Sequence, residues 1–327
     1  MTRVLVTGGS GFIGQHLVSA LVARNRQVRV LDLLPPANVL PDVQYIEGSV
    51  LDPDLVDEAL RDVGEVYHLA ALPGMWLPSK QAFQAVNYHG TEVVITAARK
   101  RGVSRFLHCS TESILFPAPS SRPVGTQGLL PLDDMPGLYT RSKMLAEQYA
   151  MHAASCGFPL VIGTPTMPIG PHDHNLTPPT AMLLHFMDGR LHLYLDFIVN
   201  LVDVRDVATG LILTMERGQI GHRYILGSQG IPLKRILELM AAISGRRNLA
   251  VPVSGRIAEL AATVLEFISD HVTRRAPTGT AEGVRIALRA TDLKIEKAQQ
   301  ELGYAPRPVE PALHDTITYL LSARGKR

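Results

Sequence analysis

A glycine-rich loop near the start of the chain constrains the fold more than any other feature. It reads Thr7-Gly8-Gly9-Ser10-Gly11-Phe12-Ile13-Gly14, between an apolar run that predicts a strand and an amphipathic stretch that predicts a helix. Such glycines permit a tight turn, a close approach to a pyrophosphate and close helix–strand packing, while the helix N-terminus supplies free N–H groups. A tight turn without a ligand is the alternative. The loop predicts a dinucleotide site lined by Gly8, Gly11, Phe12, Ile13 and Gly14.

Two acidic residues indicate which dinucleotide binds. Asp32 ends the second predicted strand, where a carboxylate can accept hydrogen bonds from the adenosine ribose and would repel a 2′-phosphate. Residues 33–35 contain no Arg or Lys to hold such a phosphate, so the sequence favours NAD over NADP. Asp52 is expected beside the adenine, or alternatively at the N-cap of a helix near Leu55.

Short apolar runs alternate with helical patterns over the first 170 residues, as in a parallel sheet covered by helices on both faces. The predicted strands are Arg3–Thr7, Val28–Asp32, Val43–Glu47, Glu65–Ala70, Arg105–Ser110 and Leu160–Thr164. The predicted helices are Gly14–Arg24, Leu55–Arg61, Ala82–Arg101 and Leu138–Ser155. This pattern predicts an α/β protein with a doubly wound parallel sheet of the Rossmann type.

A cluster of prolines from Pro165 to Pro179 interrupts the alternation and marks a boundary. We expect residues 1–170 to form the NAD-binding domain and residues 171–327 to form a smaller α+β substrate-binding region. The border is expected to be interleaved, with residues 200–228 returning to the Rossmann core through a strand at Asn200–Val207 and a helix at Ala208–Glu216.

Composition limits the classes of partner. The chain has 327 residues, is 46% hydrophobic and carries a net charge of +2, which gives no reason to expect nucleic-acid binding. Two distant cysteines form no disulfide or zinc pattern, and no apolar run is long enough for an integral membrane segment. We expect a cytoplasmic protein that binds a small-molecule substrate.

Tyr139 and Lys143 carry the chemical prediction. On a helix, residues four apart lie on one face, so the phenol and the ammonium would point into the same space. A nearby ammonium would lower the pKa of Tyr139 from its usual value of about 10 and make it an acid or base near neutral pH. Leu69, Ala70 and Ala71 end the fourth predicted strand, where sheet topology predicts cofactor contacts. A half-exposed tyrosine and a solvated lysine are the alternative.

Together these motifs resemble the extended short-chain dehydrogenase/reductase family of NAD-dependent epimerases, dehydratases and reductases. The resemblance covers almost the whole chain, from Thr7–Gly14 through Val86-Asn87-Tyr88-His89-Gly90-Thr91 to Leu302-Gly303-Tyr304-Ala305-Pro306. Locally, the segment from Pro165 to Pro171 is similar to hopanoid-associated sugar epimerases and dihydroflavonol-reductase-like proteins.

The resemblance implies a role for individual residues. Thr111 would hydrogen bond the substrate oxygen, with Ser110 or Ser113 as alternatives. Tyr139 would move the proton, and Lys143 would hold the nicotinamide ribose. The resemblance further implies cofactor contacts from Asn87 and Pro165 and a substrate contact from Thr166.

The resulting function is hydride exchange between NAD and a secondary alcohol or ketone. A sugar or nucleotide-sugar epimerase with tightly bound NAD is the first alternative, and a non-catalytic dinucleotide-binding protein the second. Relatives commonly pair through helices such as Ala82–Arg101 and Leu138–Ser155, so a homodimer is expected.

The substrate is predicted only by class. Where nucleotide-sugar enzymes often carry an Arg-Asp pair, this chain has Val199 and Asn200, which favours an apolar or amphipathic substrate. Met75 and Trp76 are expected to edge its pocket. Glu112 follows Thr111 without the second acid of sugar dehydratases, which disfavours dehydration and leaves Glu112 as either an auxiliary acid or a structural carboxylate.

Two further segments allow alternatives. His172-Asp173-His174 offers no third ligand at a diagnostic spacing, so no metal site is predicted. The apolar segment Ile257–Ile268 predicts a helix packed in the substrate region or at a dimer contact, with a lid or membrane-surface patch as the alternative.

Overall fold

The computed structural model describes residues 3–117, 129–245, 247 and 250–324, without the side chains of residues 323 and 324. Seven parallel strands form its main sheet: β1 (Arg3–Thr7), β2 (Val28–Asp32), β3 (Val43–Glu47), β4 (Val63–His68), β5 (Arg105–Cys109), β6 (Leu160–Pro165) and β11 (Arg223–Leu226). Their spatial order is β11-β6-β5-β4-β1-β2-β3. The predicted doubly wound parallel sheet is confirmed.

The helices follow in chain order. They are α1 (Phe12–Val22), α2 (Pro53–Ala59), α3 (Gln81–Phe83), α4 (Gly90–Lys100), α5 (Leu138–Ser155), α6 (Pro178–Met187), α7 (Val204–Arg217), α8 (Leu233–Ser244), α9 (Gly255–Ile268), α10 (Ala281–Arg289), α11 (Glu296–Leu302) and α12 (Val309–Arg324). A π-helical turn, Gln84–His89, joins α3 to α4, and another, Ser269–Thr273, extends α9. No helix among the described residues is both long enough and apolar enough to cross a membrane.

Side chains alternate between the two faces of the sheet, and each face has its own core. Val4 and Val6 of β1 pack with Leu17 and Leu211, which belong to α1 and α7. Leu5 points the opposite way, into the core formed with α2, α4 and α5. Alternation with a period of two places successive residues on opposite faces, so a sheet covered on both sides needs continuous apolar strands.

Several element boundaries differ from the sequence prediction for local reasons. Helix α1 begins at Phe12 because Gly11 is its N-cap. Helix α7 begins at Val204, and the strand expected at Asn200–Val207 ends early, because the Asp203 carboxylate accepts the Arg205 N–H at 2.8 Å.

Residues after the proline cluster add a second, smaller packing unit. Short strands pair as β7 (Met167–Ile169) with β10 (Leu201–Asp203), β9 (Ile198–Val199) with β12 (Ile231–Pro232), and β8 (Leu193–Tyr194) with β13 (Val251–Pro252). Helices α6, α8 and α12 share a core, whereas α7 packs across α1 and β11 lies beside β6 in the main sheet.

The strand order positions the site. The chain runs outward from β1 to β3 and then returns to β4 on the other side of β1. The loops after β1 and β4 therefore diverge and leave a crevice at the carboxyl ends of the strands, where open α/β sheets bind ligands.

Candidate active site

A cavity of about 620 Å³ occupies this crevice. It extends from the glycine loop and Asp32, past the ends of β4, β5 and β6, to α10. The predicted residues that line it are Gly8, Gly11, Phe12, Ile13, Gly14, Asp32, Leu69, Ala70, Ala71, Met75, Thr111, Glu112, Tyr139, Lys143, Pro165 and Thr166. The fold thus brings sixteen of the nineteen predicted site residues together, and Asp52, Trp76 and Asn87 are the exceptions.

The glycine loop has the shape of a phosphate cradle. Gly8 has a φ of +71°, and a Cβ there would lie 2.7 Å from the Ala70 nitrogen. A Cβ on Gly14 would collide with the Gly8 carbonyl oxygen. Gly11 caps α1 without a side chain, so no side-chain oxygen occupies the N–H groups of the first turn. Backbone donors at a helix N-terminus, open towards a cavity, fit the diphosphate of a dinucleotide.

Asp32 is held where a ribose would be recognised. Its carboxylate accepts the backbone N–H of Ser10 at 2.9 Å and that of Leu34 at 3.2 Å. Among the described residues that line the cavity, Lys143 is the only Lys or Arg, and it lies at the opposite end. The adenosine end therefore fits ribose hydroxyls and offers no cation for a 2′-phosphate.

Asp52 does not line the cavity. Its Oδ1 accepts the N–H groups of Asp54 and Leu55 at 3.1 Å each, so it is the N-cap of α2. The helix-cap alternative for Asp52 is confirmed, and the cavity lining gives no support to the adenine contact. Gly48, Ser49 and Val50 line that part of the cavity instead.

Asn87 and Trp76 also lie outside the cavity lining. The Asn87 side chain accepts the Leu72 N–H at 2.7 Å and donates to Ser142 Oγ at 3.0 Å, so it ties the loop after β4 to α5. Trp76 is 9% exposed and donates its indole N–H to Asp270 at 2.7 Å. Met75 is therefore the only one of the two expected pocket residues that faces the cavity.

Thr111, Tyr139 and Lys143 converge at the ends of β5 and α5. The Thr111 and Ser113 hydroxyls lie 2.9 Å apart and share a hydrogen bond. Both also hydrogen bond with the Tyr139 phenol, which lowers its pKa. Lys143 is 4% exposed and donates to the Cys109 carbonyl oxygen at 2.8 Å. This anchor fixes the ammonium one helical turn from Tyr139.

The electrostatics of this group differ from the expectation. Burial raises the pKa of Tyr139 to about 12, against the smaller opposing effect of the Thr111 hydrogen bond. Burial likewise lowers the pKa of Lys143. The low-dielectric surroundings favour the neutral form of each group, so the expected lowering of the Tyr139 pKa by Lys143 is wrong for this structure. With a pKa of about 12, the Tyr139 phenol is protonated at neutral pH.

Glu282 is a site residue that the sequence did not reveal. Helix α5 begins after Gly137, which offers no capping side chain. Glu282 of α10 accepts the Thr140 N–H at 2.7 Å and the Tyr139 N–H at 3.3 Å, and thereby caps α5 from another segment. A Cβ on Gly137 would collide with Glu282. The sequence shows that Gly137 has no capping side chain, but it does not identify Glu282 as the residue that takes this role.

Three buried polar atoms of the lining have no hydrogen-bond partner within the described part of the chain: Ser110 Oγ, Glu112 Oε2 and Thr166 Oγ1. Glu112 is 6% exposed, and Asn200 supplies a hydrogen bond to its carboxyl group. Burial raises the pKa of Glu112 to about 8. Buried polar groups are ordinarily paired, so these atoms are suited to a ligand in the cavity.

The side chains of the His172-Asp173-His174 segment make contacts within the protein. Asp173 accepts the Thr177 N–H at 2.8 Å, and the His172 ring packs 4.9 Å from that of Tyr319. No group of three metal-ligating side chains is present among the residues that the structure describes.

Comparison with known proteins gives a family match over about two thirds of the chain and relatives that cover nearly all of it. The sequence model of the NAD dependent epimerase/dehydratase family matches residues 4–227. A protein from Synechocystis sp., provisionally named a dihydroflavonol 4-reductase, is 31% identical over 325 residues, which cover 95% of this chain and 92% of that protein. A Stigmatella aurantiaca protein named 4-hydroxy-2-methyl-3-oxo-4-farnesyl-3,4-dihydroquinoline-1-oxide ketoreductase is 30% identical over 322 residues, 93% of this chain and 92% of that protein.

A solved structure agrees with the fold throughout. The crystal structure of gox2253 is similar with a TM-score of 0.84 at 29% identity, and the match covers 99% of each chain. The similarity therefore includes the segments that cover the cavity as well as the main sheet.

Proposed function

Because the chain belongs to the NAD-dependent epimerase/dehydratase family and is an enzyme of the extended short-chain dehydrogenase/reductase type, we propose that it reduces the ketone, or oxidises the secondary alcohol, of an apolar or amphipathic substrate. The observation that carries this proposal is the convergence of Thr111, Tyr139 and Lys143 beside unpaired polar atoms in one largely apolar cavity.

NADH would supply the hydride for ketone reduction, and NAD+ would accept it in alcohol oxidation, in each case at the nicotinamide ring. We assign its diphosphate to the backbone of the glycine loop, its adenosine ribose to Asp32 and its nicotinamide ribose to Lys143. We assign further contacts to the chain segment from Leu69 to Ala71 and to Pro165. These assignments rest on the shape of the cradle and on its position at the strand ends.

The chain's own residues move and direct the proton. In the reducing direction, the Tyr139 hydroxyl gives its proton to the ketone oxygen while Thr111 hydrogen bonds the same oxygen. A phenol with a pKa of about 12 is protonated at neutral pH, which suits donation. Lys143, anchored on the Cys109 carbonyl, stabilises the phenolate that remains.

The lining supports an apolar substrate with a second oxygen near the reacting carbon. Leu72, Met75, Met167, Phe197 and Ile286 offer hydrocarbon contact, while Glu112 and Thr166 present buried polar atoms. Glu112 is neutral below its pKa of about 8, so it can donate a hydrogen bond to that second oxygen. The Stigmatella relative is named for a farnesyl-bearing ketone substrate, which agrees with this class.

The test is NADH oxidation by the purified protein over a panel of ketones with increasing apolar chain length. We expect turnover to rise with chain length and to be faster with NADH than with NADPH. Uridine-diphosphate hexoses, assayed for epimerisation without added cofactor, form the second arm. Epimerisation without ketone reduction would contradict the proposal, and NAD binding without any turnover would favour a non-catalytic protein.

We further propose that residues 171–327 form the substrate-binding region, and that the protein is a cytoplasmic homodimer that pairs through α4 and α5. The Tyr149 hydroxyl of α5 lies 3.2 Å from Thr96 Oγ1 of α4, so the two helices form one continuous surface. Sedimentation velocity should give a dimer, and Tyr149→Glu should convert it to a monomer with its fold intact.

A further inference from the structure

Helix α9 and the π-helical turn that extends it place their apolar side outward. Ile257, Leu260, Val264, Phe267 and Val272 are 60%, 69%, 50%, 61% and 73% exposed. At 100° per residue, the first four of these side chains lie within about 80° of one another, and Val272 follows on the π-helical turn. Helix α9 packs on α10, as expected of a helix in the substrate region, but this face is left uncovered in the single chain. We call it the α9 face and define it by these five residues.

Ala262 is the one buried side chain of α9, and charged pairs lie beside it on the inward side of the helix. Glu259 pairs with Arg285 of α10 at 2.7 Å. Asp270 pairs with Lys80 at 3.0 Å and accepts the Trp76 indole N–H at 2.7 Å. A helix on the surface of a protein in water normally turns its apolar stripe to the core and its charged side to solvent. Here the arrangement is reversed, which is the polarity expected of a helix whose outer side is not in water.

Charges around the α9 face are positive. Arg256 lies at the beginning of α9, Arg274 and Arg275 follow its end, and all three are exposed. Within the part of the chain that the structure describes, no carboxylate pairs with them. The acids Glu259 and Asp270 face inward and are paired with cations. Glu266, the third acid of the segment, acts on the pKa of Glu282 of α10 and so lies on the same side of the helix. The three acids are therefore directed away from the α9 face.

The α9 face forms the outside of the cavity cover. Helix α10 packs against α9 and contributes Gly283, Ile286 and Ala287 to the cavity lining. Trp76 joins the loop beside Met75 to Asp270 at the end of α9. A partner seated on the α9 face would therefore be separated from the cavity by α10.

We propose that the α9 face lies on the surface of an anionic lipid bilayer, with its apolar residues at the boundary between headgroups and acyl chains. Arginines at both ends of an apolar stripe match a layer of phosphates above hydrocarbon. A second copy of this chain fits less well, because twofold pairing of two α9 faces would bring their arginines together. This inference rests on the surface of α9 alone and stands apart from the proposed reaction.

The experiment is flotation of the full chain with vesicles of equal phosphatidylglycerol and phosphatidylcholine, and with vesicles of phosphatidylcholine alone. We expect binding to the anionic vesicles that weakens with added salt, and little binding to the neutral ones. The double variant Leu260→Asp/Phe267→Asp should lose at least about tenfold in affinity, because both side chains leave the hydrocarbon. Arg274→Ala/Arg275→Ala should lose about tenfold or more on anionic vesicles only.

Ile220→Asp/Leu321→Asp is the matched control, because those residues are 51% and 47% exposed and lie outside α9. It should bind as the native protein does. Circular dichroism and the melting temperature establish that each variant is folded. No binding by the native protein, or equal binding by the Leu260→Asp/Phe267→Asp variant, overturns the proposal. A second result would also overturn it: the native protein does not bind vesicles but forms a dimer, and Leu260→Asp/Phe267→Asp dissociates that dimer. The α9 face would then bind a second copy of this chain.

Discussion

The two ends of the cavity are built by different means. The end proposed for the dinucleotide uses backbone from one contiguous loop, where Gly8 and Gly14 leave no room for a Cβ. The opposite end is held by side chains from distant segments. Glu282 of α10 accepts a hydrogen bond from the first turn of α5, and Asp270 accepts one from the Trp76 indole. Backbone sites are determined by local sequence, whereas side-chain sites depend on the packing of the whole chain. Variants at the two ends should therefore fail in different ways.

Tyr139→Phe should have the largest effect, because it removes the proposed proton donor and little else. We expect kcat to fall by about 100- to 10,000-fold, the usual contribution of general acid catalysis. The dissociation constant for NADH, measured by fluorescence titration, should change less than about threefold. Full turnover in this variant would remove Tyr139 from the mechanism.

Gly14→Ala should show the reverse pattern at the backbone-built end. The added methyl group collides with the Gly8 carbonyl, and overpacking of about 1–3 kcal/mol corresponds to a loss of about 5- to 150-fold in NAD affinity. Gly279→Ala is the matched control, since a Cβ there meets no heavy atom within 4 Å. Calorimetric titration with NAD measures both, and equal affinity in the two variants would contradict the cradle.

Glu112→Gln tests the side-chain end through pH. The folded-state pKa of Glu112 is raised from 4.5 to about 8, so its contribution to the free energy of unfolding is complete below pH 4.5 and is lost as pH rises to about 8. The native protein should lose stability across that window, and the variant should lose less. With a substrate in hand, kcat/KM of the native enzyme should decline above pH 8, and the variant should be about tenfold less active at neutral pH.

The control for that pH profile is a denaturant titration of both proteins at pH 5 and pH 9, with circular dichroism as the readout. An identical change in the free energy of unfolding for the native protein and the variant would show that Glu112 does not titrate in this range.

Glu282→Ala should have the smallest effect, and it separates a positioning role from a purely structural one. Loss of the acceptor for the first turn of α5 should cost about 1 kcal/mol in stability and about three- to tenfold in kcat, because Tyr139 loses its fixed position. Glu282→Gln keeps one acceptor oxygen and should recover part of both losses.

Asp52→Ala is the matched control for stability, because Asp52 caps α2 away from the cavity. It should lower the melting temperature to a similar extent with no change in kcat. An equal loss of kcat in Asp52→Ala and Glu282→Ala would mean that Glu282 acts through stability alone.

The main sheet could be predicted because each of its signals is local. Continuous apolar strands, a glycine loop and amphipathic helices gave the strand ranges within a few residues, and the errors lie at caps such as Gly11 and Asp203. The same local chemistry predicts two roles for Asp52, as a helix cap or as an adenine contact. A carboxylate before a proline serves either role until its neighbours are known.

The substrate end could be predicted only in part. Met75 and Trp76 are adjacent, yet one faces the cavity and the other faces Asp270, almost two hundred residues further along the chain. The apolar segment after Ser254 predicts a helix packed in the substrate region or at a dimer contact, because the sequence shows the apolar stripe but not the direction in which it points. Burial likewise reversed the expected shift in the Tyr139 pKa.

The sequence by itself determined the doubly wound sheet, the phosphate cradle and the spacing of Tyr139 and Lys143, because turns, strand periodicity and helical spacing act between residues close in the chain. The tertiary structure alone decided that Glu282 caps α5, that Glu112 is buried with an unpaired oxygen, and that the α9 face points outward. These properties depend on which distant side chains exclude water from one another, and that is settled only when the whole chain has folded.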